Sequence, residues 1–511
     1  MKRSILSFVF SLIGYAAFSQ VIISGNLKGG TKRDSLEVNI PFNGYYWKQN
    51  SYFVKPNALG NFRLVLPQHV PILAVLNYEE ISQVILLSPG KPLIIHINAN
   101  KKTYTFSGAA QTENLLLKRL KINGPDSLSF VAEAKKGGAR SYVRWSMDSI
   151  FRVKLPMIKH SLDSTQKIVA AAAIPSSLKD IIHNEVKYCY ATGVAIKLGG
   201  WLNTRKNNAD FNTKFIDTVW ATFGLPSQPQ LNTGISANRY LDTYFQFKMW
   251  KPFYLFRVAK DKQQAEIALK NTLGFDMTDI QNDRDNDNEK YMFAIKLNKV
   301  APAYAWQKQL ANTLEFFCLQ SQLMMADKML NFIKINTPEN PYLAYCEKAI
   351  APQKRQREKY ANNLNIKIRD DYKSIISLQQ LLAPYKGKVV FVDMWGTWCP
   401  HCIEDMAFEP ALKKGFEGKD VIFLYLANDE DKDDEKWRDF IFINNLTGQH
   451  VRRTKEQTAP LWNELGIKDS NQAYPHYFIV NKHGDVTIND AKRPGNNNEV
   501  YKQIESALNE N

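Results

Sequence analysis

The chain has 511 residues, 44% of them hydrophobic and 23% charged, with a mean hydropathy of -0.35. That balance excludes a disordered, collagen-like or multi-spanning membrane chain, and the length predicts about three globular domains at roughly 100 to 200 residues each. Five cysteines are too few for a disulfide-built scaffold, so a buried apolar core must hold the fold.

The formal charge of +16 is unevenly spread: residues 371–511 hold 17 Lys and Arg against 22 Asp and Glu, net -5, which leaves +21 on the rest. The upstream basic residues are mostly dispersed, with short clusters such as Lys354, Arg355, Arg357 and Lys359. This reads as a solvated basic surface, able to touch anionic surfaces peripherally, and not as a nucleic-acid site.

At the N-terminus Lys2 and Arg3 precede an apolar run from Ile5 to Phe18, and Ala17-Phe18-Ser19 stands ahead of Gln20. A charged region, an apolar region and a small-x-small cut make a secretory signal peptide over 1–19; the run is shorter than the roughly 20 residues that span a bilayer. No cysteine stands near the cut to take a lipid. The mature protein is therefore expected in an exported, oxidising compartment, the periplasm in a bacterium with two membranes.

From Val21 to Gly108 short runs rich in β-formers alternate with turn residues: Val21 to Ser24, Leu36 to Ile40, Tyr45 to Lys55, Phe62 to Leu66, Ile72 to Leu76, Val84 to Leu87, Leu93 to Ile97 and Tyr104 to Phe106. The pattern predicts a small antiparallel β-sandwich or barrel over 20–108, acting as a scaffold or docking module. Over 109–365 apolar and aromatic residues recur at helical spacing, as in Phe316, Phe317, Leu319, Leu323 and Met324, and predict a helical domain whose aromatic residues form core. Asp283, Asp285, Asp287 and Glu289 resemble the start of a calcium loop. Asn288 in place of Gly and Ala294 in place of Glu make it a polar loop.

The character changes near Tyr372, and 366–511 reads as an α/β domain. Ser374 to Leu382 is a helical lead-in, and Val389-Val390-Phe391-Val392 is the continuous apolar run of a buried parallel strand. Val421 to Leu426 is a second strand, Glu435 to Ile443 a helix, Tyr477 to Val480 and Val486 to Ile488 a hairpin, and Glu499 to Leu508 a terminal helix. The order is a β-α-β core followed by β-β-α, giving a multidomain α+β chain.

Directly after the first of these strands comes Trp398-Cys399-Pro400-His401-Cys402. A C-x-x-C at a strand-to-helix junction is a redox signature: two intervening residues let both sulfurs meet on the first helical turn, where free N–H groups and the helix dipole stabilise a thiolate. Zinc would want four ligands, and no second C-x-x-C or H-x3-5-H pair supplies them, so neither metal nor cofactor is expected. The other cysteines, Cys189, Cys318 and Cys346, lie among apolar neighbours and read as buried free thiols, with a Cys318–Cys346 bridge as the alternative.

The last 145 or so residues resemble a thioredoxin-fold domain of the TlpA/ResA type, exported thiol-disulfide oxidoreductases. The matching text is Gly387-Lys388-Val389-Val390, then Val392-Asp393-Met394-Trp395-Gly396-Thr397-Trp398-Cys399, and Ala473-Tyr474-Pro475-His476-Tyr477-Phe478-Ile479-Val480 with Gly484-Asp485 after it. The resemblance implies a Cys399–Cys402 disulfide in which Cys399 is the exposed attacking cysteine and Cys402 resolves. It makes Pro475 the cis-proline beside the dithiol, with Trp398 and Tyr474 flanking the substrate groove. Asp393, six residues before Cys399, falls where thioredoxins keep a buried acid that exchanges a proton with the resolving thiol. Asp405 stands where the family has Glu before a Met-Pro pair; here the text is Glu404-Asp405-Met406-Ala407.

The Pro400-His401 pair between the cysteines is that of DsbA-type oxidants, whereas the surrounding domain resembles reductants. The two classes differ by about 150 mV, about 7 kcal/mol for two electrons. The reading is an exported oxidoreductase acting on cysteine-containing exported proteins and reset by a redox partner, reductase by resemblance. A partner-binding or chaperone-like protein that uses the domain only for docking is the alternative, disfavoured by the intact dithiol.

Overall fold

The computed structural model describes residues 20–29, 35–123, 128, 147–204, 209–274, 276–278, 289–369, 371–468 and 471–510. The expected signal peptide over 1–19 and the acidic positions Asp283 to Asp287 lie outside them. The chain divides into two compact units, one of 1–274 with 299–305 and one of 275–298 with 306–511.

The first unit begins with eight strands: β1 Val21–Lys28, β2 Leu36–Asn39, β3 Ser51–Val54, β4 Asn61–Leu66, β5 Ile72–Tyr78, β6 Ile81–Leu87, β7 Leu93–Asn98 and β8 Thr103–Ser107. They form two four-stranded sheets, in the orders β4-β1-β7-β8 and β3-β2-β5-β6. Alternate residues turn inward, as the pleat requires, so Val21, Ile23 and Leu27 of β1 join Leu36, Val38, Leu76, Ile85 and Ile95 in one apolar core. Full burial of each such side chain contributes roughly 1.5–3 kcal/mol.

The sandwich is not wholly antiparallel. β1 lies between β4, which runs against it, and β7, which runs parallel to it from Ile23↔Leu93 to Lys28↔Asn98. Gly25 makes that approach possible, because a Cβ there would sit 1.7 Å from the Ile95 carbonyl oxygen. Within the expected Tyr45 to Lys55 strand only Ser51–Val54 is extended, after a 3-10 turn at Lys48–Asn50.

The longer helices described in this unit are α1 Gln111–Leu120, α2 Leu155–Ala170, α3 Ser176–Thr204, α4 Ala209–Phe223, α5 Ser236–Val258 and α6 Lys262–Leu273. The aromatic residues do form core: Tyr240 lies 5.4 Å from Tyr188 and 5.2 Å from Trp220 between ring centroids. Buried Glu185 of α3 accepts the Ile235 and Ser236 N–H groups and the Ser236 hydroxyl, satisfying free donors at the start of α5.

In the second unit the helices α7 Glu289–Lys296, α8 Ala303–Leu319 from residue 306 onward, α9 Leu323–Asn336 and α10 Leu343–Tyr360 precede an α/β sheet. The helical stretch is thus shared between the two units. Its last helix is tied to the helix over 434–443 through Arg357, whose Nε donates to Asp439 Oδ1 at 2.8 Å. Cys189, Cys318 and Cys346 are all buried free thiols.

The sheet comprises β9 Ile366–Ile368, β10 Val389–Trp395, β11 Val421–Asn428, β12 Gly448–Arg453, β13 His476–Val480 and β14 Val486–Ile488, ordered β14-β13-β10-β11-β12-β9. Strands β10, β11, β12 and β9 are parallel, while β13 and β14 each run against their neighbour. Helices α11 Leu378–Leu382, α12 Pro400–Asp405, α13 Glu409–Gly415, α14 Asp434–Ile443, α15 Lys455–Glu464 and α16 Asn497–Asn509 cover it. Central β10 is buried at every position, as its unbroken apolar run predicts.

Three elements escaped the sequence reading: β9, β12 and α15. β12, Gly-Gln-His-Val-Arg-Arg, has no apolar run, yet His450, Arg452 and Arg453 are buried. Most of their polar groups are met inside: Arg452 pairs with Asp431 and Asp434, Arg453 donates to the Tyr372 carbonyl, and His450 Nε2 lies 2.7 Å from the Leu446 carbonyl, whereas Arg453 Nε and His450 Nδ1 find no partner.

Candidate active site

Cys399 caps the N-terminus of α12 directly beyond the loop that leaves the buried end of β10, and Cys402 lies one turn into the helix. The two are joined as a disulfide, and Cys399 Sγ accepts the Cys402 backbone N–H at 3.1 Å. Pro400 takes the first helical position, where the missing N–H has no partner to lose. Cys399 is 3% exposed and Cys402 fully buried, so the cysteine expected to attack is the nearer to solvent of the two but is not the exposed group expected. Trp395 and Tyr474 pack in the same apolar cluster.

The loop between β10 and α12 is held from below. Buried Asp429, just past β11, accepts the Thr397 N–H through both oxygens and the Thr397 hydroxyl at 2.6 Å. Gly396 has no room for a side chain, since a Cβ would meet the Trp398 indole nitrogen at 2.5 Å. Trp398 itself is 53% exposed; its Nε1 donates to the Asn428 carbonyl at 2.6 Å. Its ring meets Tyr474 edge-on at 5.2 Å, and Tyr474 in turn meets Trp462 at 5.6 Å. Asn428 Nδ2 donates to the Tyr474 hydroxyl, closing the set.

The Tyr474–Pro475 peptide is cis. Pro475 leads straight into β13, whose register pairs His476 with Met394 of β10, so the proline stands at the end of β10 from which the dithiol loop departs. His401, one residue inside the helix, turns outward: its Nδ1 lies 3.0 Å from Glu404 Oε2, and both side chains are largely exposed.

Beneath the dithiol the sheet carries acids. Asp393 of β10 is 2% exposed, and burial, with Glu409 and Asp405 nearby, holds its carboxyl well above the usual range. Burial likewise raises Glu409 of α13, opposed by Lys413 one turn on, whose Nζ lies 3.3 Å from Glu409 Oε2. The Tyr425 hydroxyl donates to that same Glu409 oxygen. Asp405, at the end of α12, accepts from the Tyr477 hydroxyl at 2.9 Å and from Arg493 Nε at 2.6 Å.

The residues expected from sequence at Asp393, Trp398, Cys399, Pro400, His401, Cys402, Asp405, Tyr474 and Pro475 thus share the C-terminal end of β10 and its flanks, with His401 facing away from the others. Asp429, Asn428, Glu409, Lys413 and Arg493 were missed. Glu409 and Lys413 did carry a signal, an i,i+4 acid–base pair on a helix, but that pattern usually marks a solvated face and not a buried one. Arg493 meets Asp405 from 88 residues away, with nothing local to announce it. Among the described residues no group of three or more His, Cys, Asp and Glu is arranged to hold a metal.

Residues 367–504 match the Redoxin family model, and this stretch is a redoxin domain with a thioredoxin fold at the C-terminal end of the chain. A curated relative, the thiol:disulfide interchange protein DsbE of Pseudomonas aeruginosa, is 27% identical over 104 residues, which are 20% of this chain and 51% of that protein. The chain therefore spans about half the length of the curated relative it matches. Among solved structures, the thioredoxin domain of a thiol-disulfide oxidoreductase from Bacteroides vulgatus shows 22% identity and a TM-score of 0.21, covering 25% of this chain and 84% of that one. A thioredoxin-family thiol:disulfide interchange protein from Chlorobium tepidum shows 18% identity and a TM-score of 0.21, with the same two shares.

Proposed function

We propose that this chain, with its redoxin domain and its Cys399–Cys402 pair at the head of α12, is an exported thiol-disulfide oxidoreductase that reduces disulfides in exported proteins. The observation that carries the reading is the dithiol itself: both cysteines of the C-x-x-C lie within bonding distance, with Cys399 at the helix start, and the helix N–H of Cys402 points at the Cys399 sulfur.

The reaction follows from that geometry. The Cys399 thiolate attacks one sulfur of a substrate disulfide; an S–S bond forms to Cys399 while the substrate bond breaks, and the leaving sulfur departs with the electron pair. The Cys402 thiol then loses its proton and attacks Cys399 Sγ. The mixed disulfide breaks, the second substrate thiolate leaves, and two electrons have passed from the dithiol to the substrate. A partner of the same chemistry must return those electrons. The outward turn of His401 supports the reductive direction, because an imidazole held by an exposed carboxylate adds little to the thiolate stabilisation an oxidant needs.

Export rests on the leader-like sequence over 1–19; no described helix is long and apolar enough to cross a membrane. The basic upstream part supports peripheral contact with anionic surfaces. Cys402→Ser tests the whole reading. In an exported-protein extract it should accumulate mixed disulfides on non-reducing gels that Cys399→Ser does not. Identical behaviour of the two variants would reject the assignment.

A further inference from the structure

Two adjacent buried residues at the end of β11, Asn428 and Asp429, reach both of the loops that border the dithiol. Asp429 grips the loop that runs from β10 to α12. Its two carboxyl oxygens accept the Thr397 N–H at 3.1 and 3.2 Å, and Oδ1 also accepts the Thr397 hydroxyl at 2.6 Å. Asn428 grips the same loop one residue further on, because its carbonyl accepts the Trp398 indole N–H at 2.6 Å. The Asn428 side chain turns to the other loop and donates to the hydroxyl of Tyr474, the residue before the cis-proline. Past the last register pair of β10 and β13, Met394 with His476, the ladder no longer joins these two loops, and the end of β11 takes its place.

The strand end is itself braced from β12. The Asp429 N–H donates to the Arg453 carbonyl at 3.1 Å, and the Asp429 carbonyl accepts from Arg452 Nη1 at 2.9 Å. Arg452 is buried, and its guanidinium is fixed by Asp431 at 2.6 Å and Asp434 at 3.2 Å. A site holds its geometry when the residues that shape it are locked by a further layer of hydrogen bonds, and the buried arginine of β12 supplies that layer here. Burial raises the Asp429 pKa, while the bonds from Thr397 work against that by favouring the charged form. A charged acceptor makes those bonds stronger than neutral ones.

We propose that Asn428 and Asp429 are positioning residues that fix the spacing between the dithiol loop and the cis-proline loop, Asp429 acting through Thr397 and Asn428 through Trp398 and Tyr474. This rests on the oxidoreductase reading for its purpose. Cys399 is nearly buried and packs in one cluster with Tyr474, next in sequence to half-exposed Trp398, so a folded protein bringing a disulfide to that sulfur has to seat its chain against both aromatic rings. A small-molecule disulfide needs the sulfur alone. Loops already held at the right spacing spare the substrate the cost of ordering them, and a misplacement of about 1 Å can cost about 100-fold in rate. The clamp therefore favours protein disulfides over small ones.

The test begins with the full oxidised chain, labelled with nitrogen-15 at tryptophan and free of substrate, so that its first outcome is independent of activity. Thr397→Val removes the hydroxyl donor at nearly the same shape, and hydrogen exchange of the Trp398 indole N–H should quicken about tenfold. Thr397→Ser keeps the donor and should return the exchange toward the parent rate. Unchanged exchange in Thr397→Val, or equal quickening in Thr397→Ser, overturns the clamp. In the working enzyme, the ratio of kcat/KM for a folded-protein disulfide to that for a small-molecule disulfide should fall about tenfold in Thr397→Val and also in Asn428→Ala, which frees the other loop. Thr397→Ser should recover the ratio. A ratio at the parent value in either folded variant overturns the positioning role. Failure of the Cys402→Ser trap would reject the oxidoreductase reading and leave the indole exchange rates as they are, so the two fail separately.

Discussion

Arg493 Nε donates to Asp405 Oδ2 at 2.6 Å, and the same guanidinium reaches the His401 carbonyl at 3.4 Å, so one side chain from the segment ahead of α16 holds both ends of the dithiol helix. Asp405 is buried and also takes the Tyr477 hydroxyl, which orients its carboxylate toward that cation. A six-residue helix has few internal hydrogen bonds of its own, and this outside tether compensates for them.

Arg493→Ala should therefore destabilise the second unit by about 1 kcal/mol. Leaving a buried carboxylate short of a donor costs roughly 1–3 kcal/mol, and the half-exposed Arg493 side chain places the effect at the low end. Arg493→Lys should recover only part of it, because an ammonium cannot reach both acceptors with a planar fork. Urea unfolding followed by tryptophan fluorescence measures this; an unchanged midpoint for Arg493→Ala would remove the tether from the account.

The acids beneath the sheet set a pH dependence with a definite sign. Asp393 and Glu409 have folded pKa values raised above their unfolded ones, by burial first. The native state therefore binds more protons, and stability falls as pH rises from about 4 through the raised values. Asp434 acts oppositely: its hydrogen bonds from Arg438 and Tyr372 outweigh burial and lower its pKa, so its contribution is lost as pH falls below about 4. Asp393→Asn should stabilise the protein at pH 7 and flatten the decline above pH 4, because it removes the buried group whose ionisation is disfavoured. Stability measured from pH 4 to 8 should show the two curves diverging upward; parallel curves would contradict it.

His401 should contribute little to the couple. An imidazole beside the thiolate would make the disulfide more oxidising by about 30 mV for each pKa unit of thiol stabilisation. Here the ring is turned to exposed Glu404, so His401→Ala should move the potential by less than about 30 mV in a glutathione titration. A larger negative displacement would restore the oxidant reading.

Trp398 should act on substrate and not on the couple. It is half exposed and braced by Tyr474 and the Asn428 carbonyl, a rigid aromatic platform beside the sulfurs. Trp398→Ala should raise KM for a folded protein disulfide by about 30-fold, the equivalent of a 2 kcal/mol anchor, while the redox potential changes little. Equal losses with a small-molecule disulfide would show that the effect lies in the chemistry instead.

Local order determined what could be read from residues alone. The apolar run Val389–Val392 can only be a strand buried on both faces, and a C-x-x-C following it brings two sulfurs onto one helical turn whatever surrounds them. Asp393 was named through the resemblance to thioredoxins, which keep an acid six residues before the first cysteine. Elements whose burial depends on partners far along the chain could not be read. β12 looks like a polar loop until Asp431 and Asp434 are placed against Arg452 and the Tyr372 carbonyl against Arg453. The parallel pairing of β1 with β7 requires Gly25 to meet the Ile95 carbonyl across seventy residues. Glu409 and Lys413 have the spacing of an ordinary surface pair, and only their packing over Asp393 and Tyr425 removes them from water and turns that pair into part of the site. Pattern and spacing reveal chemistry confined to one element, whereas the desolvation that gives a charged group its function is decided by whichever elements the tertiary fold lays against it.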